Sequence, residues 1–335
     1  MPTSLITGGA GFIGSHVTDA LIARGHRAIV LDDLSGGIRD NVNPAAELHV
    51  GSCTDVRLVD DIFRRNQIDY VFHLAAYAAE GLSHFIRHFN YSTNIVGSVA
   101  LINAAVNAGH VKAFVFTSSI AVYGAAQTPM REDMEPRPED PYGIAKYAIE
   151  LDLAAAHRMF GLDFIVFRPH NVYGERQNHA DPYRNVIAIF IGQVLRGEPC
   201  TIFGDGLQTR AFSHVDDIAP IIAASVDNPR ALNEVFNLGA GASSTVLELA
   251  QSIQREMGSS TGIVHLPARN EVVHAFADHE KARDVLGFQS TISLADGLER
   301  TITWLRHAKK RPPVSLPAVE VSRNLPSAWR SIPSG

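Results

Sequence analysis

From the first residues onward, short apolar runs alternate with segments whose apolar residues recur every three or four positions. SLIT (4–7), AIVLDD (28–33), ELHVGS (47–52), YVFHLAA (70–76), FVFTSS (114–119) and FIVFRP (164–169) have the length and side-chain character of strands. Between them, segments such as 14–24 and 94–108 carry the helical period. The strand runs are apolar almost throughout instead of alternating, so both of their faces are covered. That predicts a doubly wound α/β fold, a parallel sheet with helices on either side.

After about residue 170 the rhythm loosens, with Gly, Pro and polar breaks at NVYGERQNHADPY, FGDGLQTR and LPARNE, while helical periods persist at 185–196, 214–227, 245–257 and 293–307. The reading is a sheet domain over 1–169 with a return segment near 212–240, a smaller α/β substrate domain over 170–310, and a Pro- and Ser-containing tail over 311–335. No internal repeat interrupts this order.

The chain has 335 residues, 46% of them hydrophobic, enough for a sizeable core. Its net charge is −6 with acids and bases interspersed, which gives no footprint for nucleic acid or a membrane surface. HAKKRPP (307–313) reads as a solvated helix end leading into the tail. Two cysteines, Cys53 and Cys200, make neither a disulfide framework nor a metal-ligand spacing, which fits a reducing cytoplasm. Neither a signal peptide nor an apolar run of the roughly 18 residues needed for a span is visible, so a soluble protein is expected.

The first chemical signal is GGAGFIG (8–14), between the first strand and a helix starting near Phe12. Gly8, Gly11 and Gly14 provide a tight turn, close approach of backbone N–H groups to a pyrophosphate, and packing of helix on strand; Gly9, Gly11 and Gly14 also satisfy G-x-G-x-x-G. The helix N-terminus then faces the phosphates. Asp32 stands 18 residues past Gly14 at the end of the second strand. A carboxylate there accepts hydrogen bonds from ribose hydroxyls and repels a 2′-phosphate, which favours NAD over NADP in a Rossmann sheet.

The second signal is PYGIAKYAIELDLAA, in which Tyr142 and Lys146 share one face of a helix beginning after Pro141. Thr117, Ser118 and Ser119 sit at the C-terminal end of a strand, where doubly wound sheets bind ligands. Bringing a phenol from about 10 to near neutrality takes roughly 4 kcal/mol of differential interaction, within reach of two cations in a poorly solvated cleft. Tyr142 would then take a proton from a substrate hydroxyl as hydride leaves the same carbon, with Ser119 holding the oxygen.

With these elements in place, the chain resembles the extended short-chain dehydrogenase/reductases, and within them the NAD-dependent nucleotide-sugar epimerases and dehydratases of the UDP-glucose 4-epimerase type. The resemblance runs from residue 3 to about 308 through TGGAGFIG, HLAA (73–76), TNIVGS (93–98), SSIAVYG (118–124), YGIAK (142–146), RPHNVYG (168–174), GDGLQTRAF (204–212), HVDD (214–217) and ADHEKAR (277–283). It implies a catalytic set of Ser119, Tyr142 and Lys146. It implies NAD contacts from Gly8, Gly11, Phe12, Ile13, Gly14, Asp32, Asp33, Ser35 and Gly36 at the loop and second strand. Further along, Ser52, Cys53, Leu74, Ala75, Ala76, Asn94, Thr117 and Pro169 complete that set. Asn171, Asn185, Val186, Thr201, Phe203, Arg210 and Arg269 would hold the nucleotide and its diphosphate, the arginines as fork-shaped phosphate partners.

Three departures from the family pattern stand out. Gly51-Ser52 replaces the usual Gly-Asp, so either Ser52 and the Cys53 backbone serve adenine or adenine is held more loosely. The lysine usual after the fourth strand is missing from AAYAAEGLS, which leaves Glu80 as the nearest ionisable group, either a substrate contact or a surface carboxylate. The segment around Arg269 is one residue shorter than usual.

Members of this group begin by oxidising the sugar at C4, so additional acid/base groups set the outcome. Ile120 and Ala121 occupy the positions of the dehydratase Asp-Glu pair and of the decarboxylase Glu. The cysteine and lysine of the 3,5-epimerases correspond to Ala121 and Asn185. A UDP-hexose 4-epimerase remains the expectation. Other epimerases, a dehydratase, a 4-ketoreductase and a GDP-sugar carrier stay open. The resemblance further implies that the residue three before the Asp of the Ala277-Asp278 pair closes the pocket beside the sugar; here it is Ala275, where a bulky tyrosine would restrict the pocket to plain hexoses. His84 and His88 in HFIRH are spaced i and i+4 without a third ligand, so no metal is expected. The resemblance also implies a homodimer through helices 94–108 and 142–158.

Overall fold

Six strands in chain order, β1 (Thr3–Thr7), β2 (Arg27–Asp32), β3 (Glu47–Val50), β4 (Tyr70–His73), β5 (Ala113–Thr117) and β6 (Phe164–Pro169), lie in one parallel sheet with a seventh, Glu234–Leu238. From one edge the order is Glu234–Leu238, β6, β5, β4, β1, β2, β3. The computed structural model describes residues 1–125, 128–181, 183, 185–268, 272–308, 317–326 and 329. All five residues of β1 and of β5 are buried, as continuous apolar runs require when both faces are covered. Leu5 pairs with Ile29 on one side and Val71 on the other, and Phe236 pairs with Phe167 at the far edge.

Helices cover both faces. On one, Val59, Ile62 and Phe63 of helix Val56–Arg65, Leu101 and Ala105 of helix Gly97–Ala108, and Ile149 and Leu153 of helix Pro141–Phe160 pack on Leu5, Val71 and Phe114. On the other, Val17 and Leu21 of helix Phe12–Ala23 and Ile218 and Ile222 of helix Val215–Ala224 cover Ile6, Phe72 and Phe167. A third core, built on Ile187, Phe190, Ile202, Leu249, Ile253 and Leu298, holds together the smaller lobe. Each of these contacts is large; truncating one such buried side chain to alanine typically costs about 2–5 kcal/mol. Among the described residues, no helix is long and apolar enough to cross a membrane.

Local chemistry fixes the helix ends. Asp140 caps helix Pro141–Phe160 by accepting from the Tyr142 and Gly143 N–H groups, Pro141 occupies the first turn, and left-handed Gly161 ends it. Thr245 and Glu248 form a reciprocal capping box on helix Val246–Met257.

The structure departs from the sequence reading at element ends. Several expected strands are shorter: β3 stops at Val50, β4 at His73 and β5 at Thr117, and the residues beyond leave the sheet to bound a cavity. The helix expected over 94–108 begins as a π turn over Ser92–Val96 before becoming α-helical at Gly97. Asn94 sits in that turn, with its carboxamide committed to the Tyr77 backbone. His84 and His88 do not share one helix; His84 follows helix Glu80–Ser83, and His88 belongs to helix Arg87–Tyr91. Residues 309–313 of the HAKKRPP segment lie outside the described residues.

Candidate active site

The sheet order reverses between β1 and β4, and the crevice created there is the start of a cavity of about 790 Å³ that runs from the glycine loop to the smaller lobe. Gly8 has φ +72°, and a Cβ on it would lie 2.7 Å from the Ala75 backbone nitrogen. A Cβ on Gly14 would lie 2.1 Å from the Gly8 carbonyl oxygen. No side chain fits at either position, so the loop packs this closely only with glycine there, while Gly8, Ala10 and Gly11 spend their N–H groups on Leu31, Asp32 and Gly8 and the first turn of helix Phe12–Ala23 is left to meet a ligand.

Asp32 closes the cradle from below. Its carboxylate accepts from the N–H groups of Ala10 (3.0 Å) and Leu34 (2.8 Å), and burial pushes its pKa up against these bonds. Asp33, Ser35, Gly36, Ser52 and Cys53 continue the same wall, with Leu74, Ala75 and Ala76 opposite and Phe12 and Ile13 at the helix start. Burial raises the Cys53 thiol to about 12, so it is an inert wall group. These observations fit a dinucleotide: a cradle without side chains, a helix N-terminus and a buried carboxylate. Asn94 is 2% exposed, and its amide bonds to the Tyr77 backbone and holds the 74–79 segment in place.

Tyr142, Lys146, Thr117, Ser119 and Pro169 all border the cavity. Lys146 lies one turn along the helix from Tyr142, with Nζ 2.8 Å from the Thr117 carbonyl and 5.8 Å from the Tyr142 ring centroid. Burial pulls this lysine down to about 7, with Glu150 acting in the opposite direction. Ser119 Oγ accepts from the Ala121 N–H at 3.1 Å, which fixes the hydroxyl at the start of turn Ile120–Tyr123. Thr117 Oγ1 is buried on the wall with no partner among the described residues, so a polar ligand atom has a place to bind.

One group of residues escaped the sequence reading. Ser118 donates to Glu150, Arg168 Nε donates to Glu150 at 3.0 Å, Arg168 Nη1 to Tyr123 at 2.7 Å, and Tyr123 to Asn237 at 2.9 Å. This buried chain pins the Tyr142 helix to β6 and to the seventh strand. Glu150 lies at the same four-residue step past Lys146 as Lys146 past Tyr142, and that spacing was the signal available.

At the lobe end, Asn171, Asn185, Val186, Thr201, Phe203 and Arg210 border the cavity, as does Glu80 beside the Tyr142 helix. Asn171 has φ +25° and donates to the Ala211 carbonyl at 3.2 Å. Asn185 caps helix Val186–Leu195 and donates to the Val172 carbonyl at 2.9 Å. Arg210 is braced by the carbonyls of Thr209, Val272 and Val273. Arg269 lies outside the described residues. Ala275 is 7% exposed and packs in a small cluster with Ile120, Val122, Tyr123 and Met130, of which Ile120 borders the cavity. Glu175, His214 and Asp216 lie close enough to share an ion, but outside the cavity, and the Arg300 guanidinium already pairs with both acids.

Residues 4–239 match the NAD dependent epimerase/dehydratase family. The UDP-glucose 4-epimerase of Mycolicibacterium smegmatis is 34% identical over 312 residues, which cover 91% of this chain and 98% of the relative. The solved UDP-glucose 4-epimerase of Thermotoga maritima with UDP-glucose is 39% identical at a TM-score of 0.85, covering 91% of this chain and 99% of that one. The dTDP-glucose 4,6-dehydratase of Streptomyces venezuelae with NAD bound is 30% identical at a TM-score of 0.83, covering 91% and 97%.

Proposed function

The chain belongs to the NAD-dependent epimerase/dehydratase family, with NAD as its cofactor, and on that premise we propose that it is a UDP-hexose 4-epimerase. One observation carries this reading: Ser119, Tyr142 and Lys146 meet at the cavity, and the two residues that follow Ser119 are Ile120 and Ala121, which cannot move a proton.

The hydride chemistry at C4, outward and back onto the opposite face, belongs to bound NAD. Tyr142 takes the proton of the C4 hydroxyl and later returns it. Lys146 favours the phenolate by its charge, and Ser119 Oγ holds the sugar oxygen. Arg210 and Asn171 receive the diphosphate and nucleotide at the lobe end, which leaves the sugar facing Tyr142. Because these groups act only on the C4 hydroxyl, ring protons elsewhere stay in place.

Interconversion of a UDP-sugar pair in heavy water tests this. We expect epimerisation with no deuterium entering the ring. Incorporation at C3 or C5, or loss of water from C6, overturns the reading. Elimination is the second reading, favoured by Glu80 as a carboxylate on the sugar side of the cavity, and the same experiment decides between the two.

We further propose a cytoplasmic homodimer. Cys53 and Cys200 are buried free thiols, and Val96, Ile144 and Leu151 stand exposed on the paired helices beside the sheet. Light scattering of the native protein and of Leu151→Glu checks this; a monomeric native protein overturns it.

A further inference from the structure

Past helix Leu294–His307 the chain comes back to the sugar side of the cavity. The N–H groups of Glu320 and Val321 donate to the Phe85 carbonyl at 2.8 and 3.2 Å. The Glu320 carboxylate accepts from the N–H groups of His88 (2.7 Å) and Phe89 (2.8 Å) at the start of helix Arg87–Tyr91. Leu325 and Trp329, each 8% exposed, join Tyr77, Ala79, Leu82 and Ile86 in a separate apolar cluster. The Trp329 ring stands edge-on to Phe85 at 6.1 Å and to Tyr183 at 5.2 Å.

Trp329 and Tyr183 border the cavity, in company with Tyr77 and Glu80. Ser83, in the helix that Glu80 begins, donates to Asp140, the cap of the Tyr142 helix. The indole is therefore joined to the end of the cavity where the reacting sugar sits, not to the glycine loop. This segment also lies past the family motifs, which end near residue 308. The match to the Mycolicibacterium relative uses 98% of that protein and leaves about a tenth of this chain over.

We propose that Trp329 is a specificity-determining residue, the outer wall that limits the size of the sugar substituent the cavity accepts. The proposal rests on the nucleotide-sugar reading of the site. An indole held edge-on to two aromatic rings has little freedom to move aside, so it excludes an oversized group by steric overlap. Glu320 is the clasp that keeps the returning segment in place. Ala275, one layer back, leaves this role open.

The experiment compares kcat/KM for UDP-N-acetylglucosamine and UDP-glucose in the native protein, Trp329→Ala and Glu320→Ala, with retained NAD measured in each. We expect the ratio to move toward the N-acetylated sugar about tenfold or more in Trp329→Ala, within the range a pocket contact of this size provides. Glu320→Ala moves it in the same direction, and NAD content stays constant. A second measurement needs no turnover. The chain has two tryptophans, so Trp304→Phe leaves Trp329 as the sole indole, and its fluorescence under selective indole excitation changes on saturation with UDP-sugar. An unchanged ratio in both variants, together with silent Trp329 emission, overturns the proposal while the 4-epimerase reading stands. A native protein that turns over neither sugar overturns both.

Discussion

The Lys146 ammonium stands 5.8 Å from the centre of the Tyr142 ring while bonded to the Thr117 carbonyl at 2.8 Å. One helical turn thus delivers the phenol and the cation to the same wall, and a strand-end carbonyl holds the cation in place. Tyr142→Phe keeps the ring and removes the oxygen to which we assign the acid/base work. Turnover should fall about 10²- to 10⁴-fold with unchanged circular dichroism and NAD content. Wild-type turnover in this variant would remove Tyr142 from the mechanism.

Asp32 braces the loop through Ala10, and in the proposed reading it also meets the cofactor ribose. Asp32→Ala should therefore weaken NAD binding at least tenfold and narrow the margin against NADP, as read by calorimetric titration of both cofactors. A native protein that prefers NADP contradicts the assignment.

Glu150 and Arg168 form a buried ion pair, each less than a tenth exposed. Removing one partner leaves the other charged and unpaired, at a cost of about 3–5 kcal/mol. Glu150→Gln should lower the urea midpoint by a corresponding amount. Exposed Glu135→Gln, whose partner Arg137 is also exposed, should leave it within about 0.5 kcal/mol. Equal midpoints for the two variants would show that the network contributes nothing.

Burial lowers His73 to about 3, His279 to about 4 and His170 well below its ordinary value. In the unfolded chain these rings titrate near 6.5. Above that pH both states are neutral at these rings and nothing changes. As pH falls below it, the unfolded chain takes up protons that the folded chain refuses, so stability declines until about 4 for His279 and about 3 for His73. Neither ring nitrogen of His170 has a partner among the described residues. His170→Phe should raise the melting temperature at pH 7 and flatten the decline between pH 6.5 and 4. A variant with the native slope would place the acid sensitivity elsewhere.

Legibility in the sequence followed the range of the interaction. GGAGFIG, the Asp32 spacing and the Tyr142–Lys146 step are local, so their geometry follows from strand, turn and helix periods alone. The sheet was readable because continuous apolar runs report burial on both faces. The role of Asn94 depends on a bond to Tyr77 across 17 positions and on a π turn that no period announces. Tyr123 meets Asn237 across 114 positions, and Trp329 meets Tyr183 through a returning segment that composition alone marks as a tail. Ala275 was placed by its offset from Asp278, and the neighbours that bury it come from elsewhere in the chain.

The seventh strand bears on how the protein is made. Glu234–Leu238 completes the sheet beside β6, yet β6 ends at Pro169, so 64 residues separate the two. At about 5–20 residues per second, a ribosome needs several seconds to deliver the missing partner. During that interval the Phe164–Pro169 edge, apolar and unpaired, stands open to any other nascent strand. Slower translation through 170–233 lengthens that exposure, so the yield of native protein should fall as synthesis across the first part of the smaller lobe slows.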